Sequence, residues 1–261
     1  MGGVTFSPDL TETLLRPLLR TDPHRPRLTW YGGEPAGRTE LSTASLANWA
    51  AKTAGLLTDE LGVAPGAGVR VLGLRSWQVL PAALGSWWAG LALDLSAAGA
   101  GFADAVFAAP DADPEVVAAL VDESDPDTVL ALSTHPLALP AGDLPPGARD
   151  YSIAVRAHAD RFPGVPVEPT ATVLQADGPL GGDAATVADV IERARALAAG
   201  WGAQPRVLAE LGVTVRTTAE LVAAAVAALA VDGSLVVVDP ASGHAAGTVG
   251  ADEQITVSHP F

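Results

Sequence analysis

Short apolar runs with the character of buried strands alternate with helical patterns along most of this chain, and that alternation limits the fold more than any other feature. Residues 28–31, 69–74, 105–108, 128–132, 171–174, 207–211 and 234–238 read as strands, with 92–95 as a further short one. Between them, residues 10–19, 42–61, 77–91, 114–121, 152–161, 187–199 and 218–230 read as helices. Strands and helices alternating at this spacing require a mostly parallel sheet with helices on both faces. The expected fold class is therefore α/β, two-lobed, with a proline-rich connector at 162–169 as the boundary. The expected parts are 1–165, 166–240 and a small, polar tail at 241–261 whose residues 253–257 suit an edge strand.

Charge and composition then remove whole classes of function. The 261 residues carry 15 basic and 30 acidic side chains, a formal charge of −15. Such a surface lacks the basic footprint that draws nucleic acid or anionic lipid, so neither is an expected partner. The absence of cysteine excludes disulfides, thiol nucleophiles and zinc thiolate sites, and fits a cytoplasmic protein. The first 21 residues include Asp9, Glu12, Arg16 and Arg20 and hold no signal-peptide core. The longest apolar stretches, 81–93 and 221–231, are shorter than the roughly 20 residues of a membrane helix. The acidic run from Asp122 to Asp127 does not match a calcium loop, because Asp127 and Ser133 stand where Gly and Glu are required. It reads as a solvated surface.

Most chemical motifs are equally absent. The single lysine, Lys52, follows Ala51, so no Walker A loop exists. Gly66-Ala-Gly68 and Gly99-Ala-Gly101 lack the third glycine of a dinucleotide turn. No Gly-x-Ser-x-Gly occurs, and Ser86 reads as a packing residue in an apolar helix. None of His24, His135, His158, His244 and His259 has a partner one helical turn away, so no metal pair and no metal site is expected. The adjacent Trp87 and Trp88 point to different sides of one helix; the core takes them unless one faces a cleft or a partner.

The best candidate site is the glycine-rich segment 175–186, which holds Asp177, Gly178, Gly181, Gly182 and Asp183. A loop leading from a strand into a helix offers free backbone N–H groups to an anion. A phosphate site also needs hydroxyls and a cation, whereas this loop carries two carboxylates and no Lys or Arg. Like charges about 4 Å apart repel by roughly 1 kcal/mol in water and about 4 kcal/mol at an effective dielectric near 20. A Leu180 that fills the groove would close such a site.

The order of elements resembles the N-terminal part of the adenylate-forming superfamily, which includes acyl-CoA synthetases, luciferases and nonribosomal adenylation domains. The opening block at 25–98, the passage TATVLQADGPLGGDAATVADVIERARALAAGWGAQPRVL and the later AELVAAAVAALAVDGSLVVVDP carry the likeness. The chain also resembles a group of short actinobacterial relatives. The superfamily's phosphate loop reads Thr-Ser-Gly-Ser/Thr-Thr-Gly-x-Pro-Lys-Gly. Gly178 and Gly181 match its first two glycines, while Ala176, Asp177, Pro179 and Leu180 replace its hydroxyl residues and Asp183, Ala184 and Ala185 its Pro-Lys-Gly. The family continues with adenine and ribose segments and a mobile domain carrying a catalytic lysine; here only 241–261 follows the matched region. The resemblance thus implies a truncated, degenerate relative with no catalytic residues and no cofactor, serving binding or assembly. A homodimer or protein partner would cover the truncated face. The alternative is a subunit that binds ATP, AMP, an acyl-adenylate or CoA and is completed by another protein.

Overall fold

The computed structural model describes residues 7–96, 103–123, 128–142, 144–258 and 260. Gly99-Ala-Gly101, most of the acidic run ending at Asp127, and His259 lie outside the described residues. Eleven strands and eight α-helices are present among those described. The strands are β1 (Pro26–Gly32), β2 (Gly37–Ser42), β3 (Gly68–Leu72), β4 (Ala92–Leu95), β5 (Ala105–Ala108), β6 (Val129–Ala131), β7 (Arg149–Asp150), β8 (Leu174–Ala176), β9 (Gly182–Ala185), β10 (Arg206–Glu210) and β11 (Ser234–Val238). The helices are α1 (Leu10–Thr21), α2 (Thr43–Gly55), α3 (Val79–Trp88), α4 (Pro114–Glu123), α5 (Tyr151–Ala154), α6 (Val187–Leu197), α7 (Thr218–Ala230) and α8 (Ala246–Asp252).

Two sheets result. The larger has the order β7-β6-β5-β3-β4-β8-β9 and is parallel except for the edge strand β9. The smaller has the order β10-β11-β1-β2, with β2 antiparallel to β1. Both sheets draw strands from either side of residue 165, so the expected division there does not coincide with either sheet. One continuous core of buried side chains joins the sheets through α1, α2, α3 and α7. On the outer faces, Val117 and Leu120 of α4 cover Val106 and Val129, and Val249 of α8 covers Leu208 and Val236. Both faces of each sheet are thus helix-covered, as the alternation requires.

The helices at the centre are apolar all round because they have no solvent face. Every residue of α3 is buried, and so are Ala219 and the run Leu221–Leu229 of α7. Small residues let these helices approach their neighbours. A Cβ on Gly85 would lie 2.3 Å from the Thr53 side chain of α2. Trp87 and Trp88 are both buried, and the Trp87 indole N–H donates to the Val173 carbonyl at 2.8 Å. Ser86 donates to the Ala82 carbonyl within its own helix, which is a packing role. Among the described residues no helix is long and apolar enough to cross a membrane.

Helix ends follow their caps. Ser42 accepts from the Ser45 amide at the start of α2, and Thr186 and Thr217 each form a reciprocal capping box, with Asp189 and Glu220. Three sequence expectations change. The helix expected over 152–161 ends after one turn of α5 and a short 3-10 turn. The polar tail contains α8. The edge strand expected at 253–257 reduces to one bridge, Val257 beside Val207.

The tail is held by charge. Glu253 accepts from the Tyr31 hydroxyl at 2.5 Å and from Arg38 at 2.9 Å, and it also pairs with Arg206. Burial pushes its carboxyl up, but these three donors outweigh burial and hold it down at about 2. A carboxyl lowered in the folded state contributes stability above its unfolded value, and that contribution is lost as pH falls toward 2. Glu253→Gln is therefore expected to destabilise the protein by about 2 kcal/mol at pH 7 in urea unfolding. The difference from the unsubstituted protein should shrink as the pH is lowered from 5 toward 2.

Candidate functional site

The expected phosphate loop is a tight β-hairpin. Leu174 pairs with Ala185 and Ala176 with Gly182, so strand β9 intervenes between the turn and α6. This corrects the expectation of a loop running straight into a helix N-terminus. At the N-terminus of α6 the Asp189 amide donates to the Thr186 hydroxyl and the Thr186 amide to the Asp189 carboxylate, so the capping box takes up two of the donors there. Two glycines have conformational reasons. Gly178 sits at φ +93, which favours glycine, and a Cβ on Gly181 would lie 1.9 Å from the Ala176 carbonyl oxygen. The Gly181 amide closes the turn on the Gly178 carbonyl at 2.9 Å.

Leu180 turns inward and is 3% exposed, as part of the main core. Arg193, two turns along α6, donates to the carbonyls of Leu180 at 3.0 Å and Gly181 at 2.7 Å. The loop thus has a cation after all, but it points at carbonyl oxygens and locks the turn. The sequence showed no basic residue within the loop, and only the hairpin brings Arg193 to it. Gly178, Gly181 and Gly182 form the turn and the start of β9, and Asp183 lies in β9. Lys52 is elsewhere: it donates to the His158 carbonyl at 2.5 Å and lies 3.0 Å from Asp160.

Of the five expected residues, Asp177 lines a cleft of about 340 Å³. The cleft opens at the C-terminal ends of β3, β4 and β8, beside the first residues of α7. Here β4 and β5 leave β3 on opposite sides, and a reversal of strand order at that end is the usual ligand crevice of parallel sheets. The loop after β3 is fixed by Asp111, whose carboxylate accepts from the Leu74 amide at 3.0 Å and the Arg75 amide at 2.9 Å. Gly73, at φ +76, makes room, since a Cβ there would lie 2.7 Å from Asp111. Thr218 of α7 ties back to the Gly73 carbonyl at 2.8 Å, which joins the helix to this loop. Asp111 also borders a second cavity, of about 510 Å³, with Arg75, Thr134 and Asp239.

Arg70 and Arg216 stand in the wall of the first cleft. Sequence reasoning passed over both. Arg70 was detectable, because it is the one charge inside the apolar strand β3, and an arginine in a central parallel strand is unusual enough to need a reason. Among the described residues, no group of three or more His, Asp or Glu side chains could hold a metal ion.

The hairpin assignment has a measurable consequence. Leu180→Ala should cost about 2–4 kcal/mol in urea unfolding, as for a core leucine. An exposed hairpin side chain would change stability by no more than about 0.5 kcal/mol.

No protein-family model matches the chain. A curated protein of Mycobacterium tuberculosis, named a TIGR03089 family protein, is 38% identical over 159 residues, which is 61% of this chain and 64% of that protein. Among solved structures, an acyl-CoA synthetase of Brucella canis aligns with a TM-score of 0.73 at 15% identity, covering 99% of this chain and 48% of its own. An acetoacetyl-CoA synthetase from Streptomyces lividans aligns at 0.66 and 18% identity, over 88% of this chain and 38% of its own. A fatty acid AMP ligase from Legionella pneumophila aligns at 0.64 and 12% identity, over 96% and 43%. The chain spans about half the length of the structures it matches, or less, and about two thirds of the curated relative. Over that length it has the α/β fold of acyl-CoA synthetases and AMP ligases.

Proposed function

We propose that this chain is a binding protein on an acyl-CoA synthetase scaffold and does not itself adenylate a substrate. The observation that carries this reading is the hairpin. Leu180 fills the space under the turn, and Arg193 is spent on its carbonyls. Where the resemblance leads one to expect hydroxyls and a lysine, Pro179, Leu180 and Ala184 stand instead. Such a turn does not fit a triphosphate: it offers no cation, no hydroxyl and an added negative charge at Asp177. The open cleft beside α7 supports binding by another route.

The alternative, a nucleotide- or CoA-ligand subunit completed by a partner protein, would need phosphate contacts away from the hairpin. An assembly role, with a second copy as the partner, draws on the loop after β6. There Leu137 and Leu139 are exposed, and Leu144 borders an apolar cavity of about 660 Å³ with Val117, Ala131 and Pro145. Light scattering that gives a monomer at every concentration would remove the second copy from the account.

ATP–pyrophosphate exchange with a panel of carboxylic acids tests the main reading. The expected outcome is no exchange above background, and no saturable heat with ATP and magnesium in calorimetry. Exchange activity would overturn the non-catalytic reading, and micromolar ATP binding would revive the alternative.

A further inference from the structure

We propose that Arg70 is the anchor of a binding site for a small molecule bearing a carboxylate or phosphate oxyanion, in the cleft at the C-terminal ends of β3, β4 and β8. This deepens the binding reading by naming a site and a ligand chemistry.

Two buried arginines of this protein are satisfied to different degrees. Arg27 is 2% exposed and fully engaged. Its Nε donates to Thr43 at 2.9 Å, its Nη1 to the carbonyls of Asp232 and Gly233 at 2.9 Å each, and its Nη2 to the Asp232 carboxylate at 2.7 Å. Arg70 is 3% exposed, yet its Nε and Nη1 have no hydrogen-bond partner. The nearest carboxylate oxygen, Asp94 Oδ2, lies 3.7 Å from Nε, close enough to balance charge and too far to accept a hydrogen bond. The other Asp94 oxygen is committed to the Ser96 amide at 2.8 Å and hydroxyl at 2.6 Å. Leaving buried donors unmade costs about 1–3 kcal/mol, more for a charged group, so orphans of this kind call for a cause.

The location supplies one. Arg70 lies on the central strand, opposite Asp94 in β4 and Val106 in β5, and it borders the cleft at the strand-order reversal. Positive potential comes from the opposite wall too. Arg216 is exposed there, and it precedes the N-terminus of the 13-residue helix α7, whose residues Thr217, Thr218 and Ala219 border the same cleft. Three carboxylates also line the cleft, Asp111, Asp113 and Asp177, of which Asp111 is occupied by the Leu74 and Arg75 amides and Asp113 by the Glu115 amide. They leave Arg70 without an acceptor and surround it with negative charge. Such a setting suits an oxyanion of one or two charges and repels a polyanion such as a triphosphate. A guanidinium with vacant donors is a group that matches a carboxylate or phosphate oxygen through charge-assisted hydrogen bonds.

The test is a nitrogen–proton correlation titration of the full chain with acetate and, separately, with inorganic phosphate, at constant ionic strength held with chloride. The Arg70 Nε–H signal is assigned by its loss in Arg70→Lys. The expected result is saturable movement of that signal and of the Gly73 and Leu74 amides with at least one probe. In Arg70→Lys, which keeps the charge and loses the guanidinium donors, the amides should respond with about tenfold weaker affinity. Response to acetate alone assigns a carboxylate ligand, to phosphate alone a phosphorylated one, and to both the shared oxyanion. No saturable movement with either probe, or equal affinity in Arg70→Lys, overturns the proposal. If Arg70→Lys does not fold, Arg70→Gln serves in its place under the same criterion. Loss of this site would leave the hairpin argument standing, whereas pyrophosphate exchange would remove that argument without touching the titration.

Discussion

The structure depends on two central helices, α3 and α7, that are apolar nearly all round. Two parallel sheets can share one core only if the helices between them present no polar face and allow close approach. Helices α3 and α7 meet both conditions, one with Gly85 against Thr53 and the other through its alanine-rich run. The consequence for function is positional. Packing α7 between the sheets sets its N-terminus beside the C-terminal ends of β3, β4 and β8, and the bond from Thr218 to Gly73 fixes that approach. The cleft is thus a by-product of how the two sheets are joined.

Seen from the cleft, the hairpin and the arginine form one design. The turn after β8 keeps the glycines that a tight reversal needs and has turned Leu180 and Arg193 to its own stability. On the central strand of the same sheet, Arg70 retains vacant donors at the cost of burial. The fold is that of acyl-CoA synthetases and AMP ligases, while the proposed binding reading assigns its cleft a smaller and less charged ligand.

Much of the architecture was legible because its elements are strongly patterned. The boundaries of α7 and β11 follow from a capping threonine, a continuous apolar run and the Asp232-Gly233 turn between them. Strand β2 was hidden, since its alternating GRTELS carries polar residues on one face and lies between a glycine turn and a cap. The hairpin was misread for a related reason: β9, GDAA, has almost no side chain to signal a strand, and its pairing with β8 is non-local. Helix α8 escaped notice because its seven residues are mostly Ala and Gly, and ion pairs rather than periodicity hold the segment that follows it. Of the site, the loop was legible as a chain reversal with unsuitable side chains. The arginine was not, because nothing local in GVRVL shows whether a buried guanidinium will find its acceptors.

The most direct test of the account is a crystal structure of the protein grown with ATP, magnesium and acetate together. The account predicts Leu180 in the core, Arg193 on the carbonyls of Leu180 and Gly181, no nucleotide on the hairpin, and oxyanion density against Arg70. Triphosphate density on the amides of residues 178–182, with Leu180 turned out to solvent, would contradict it.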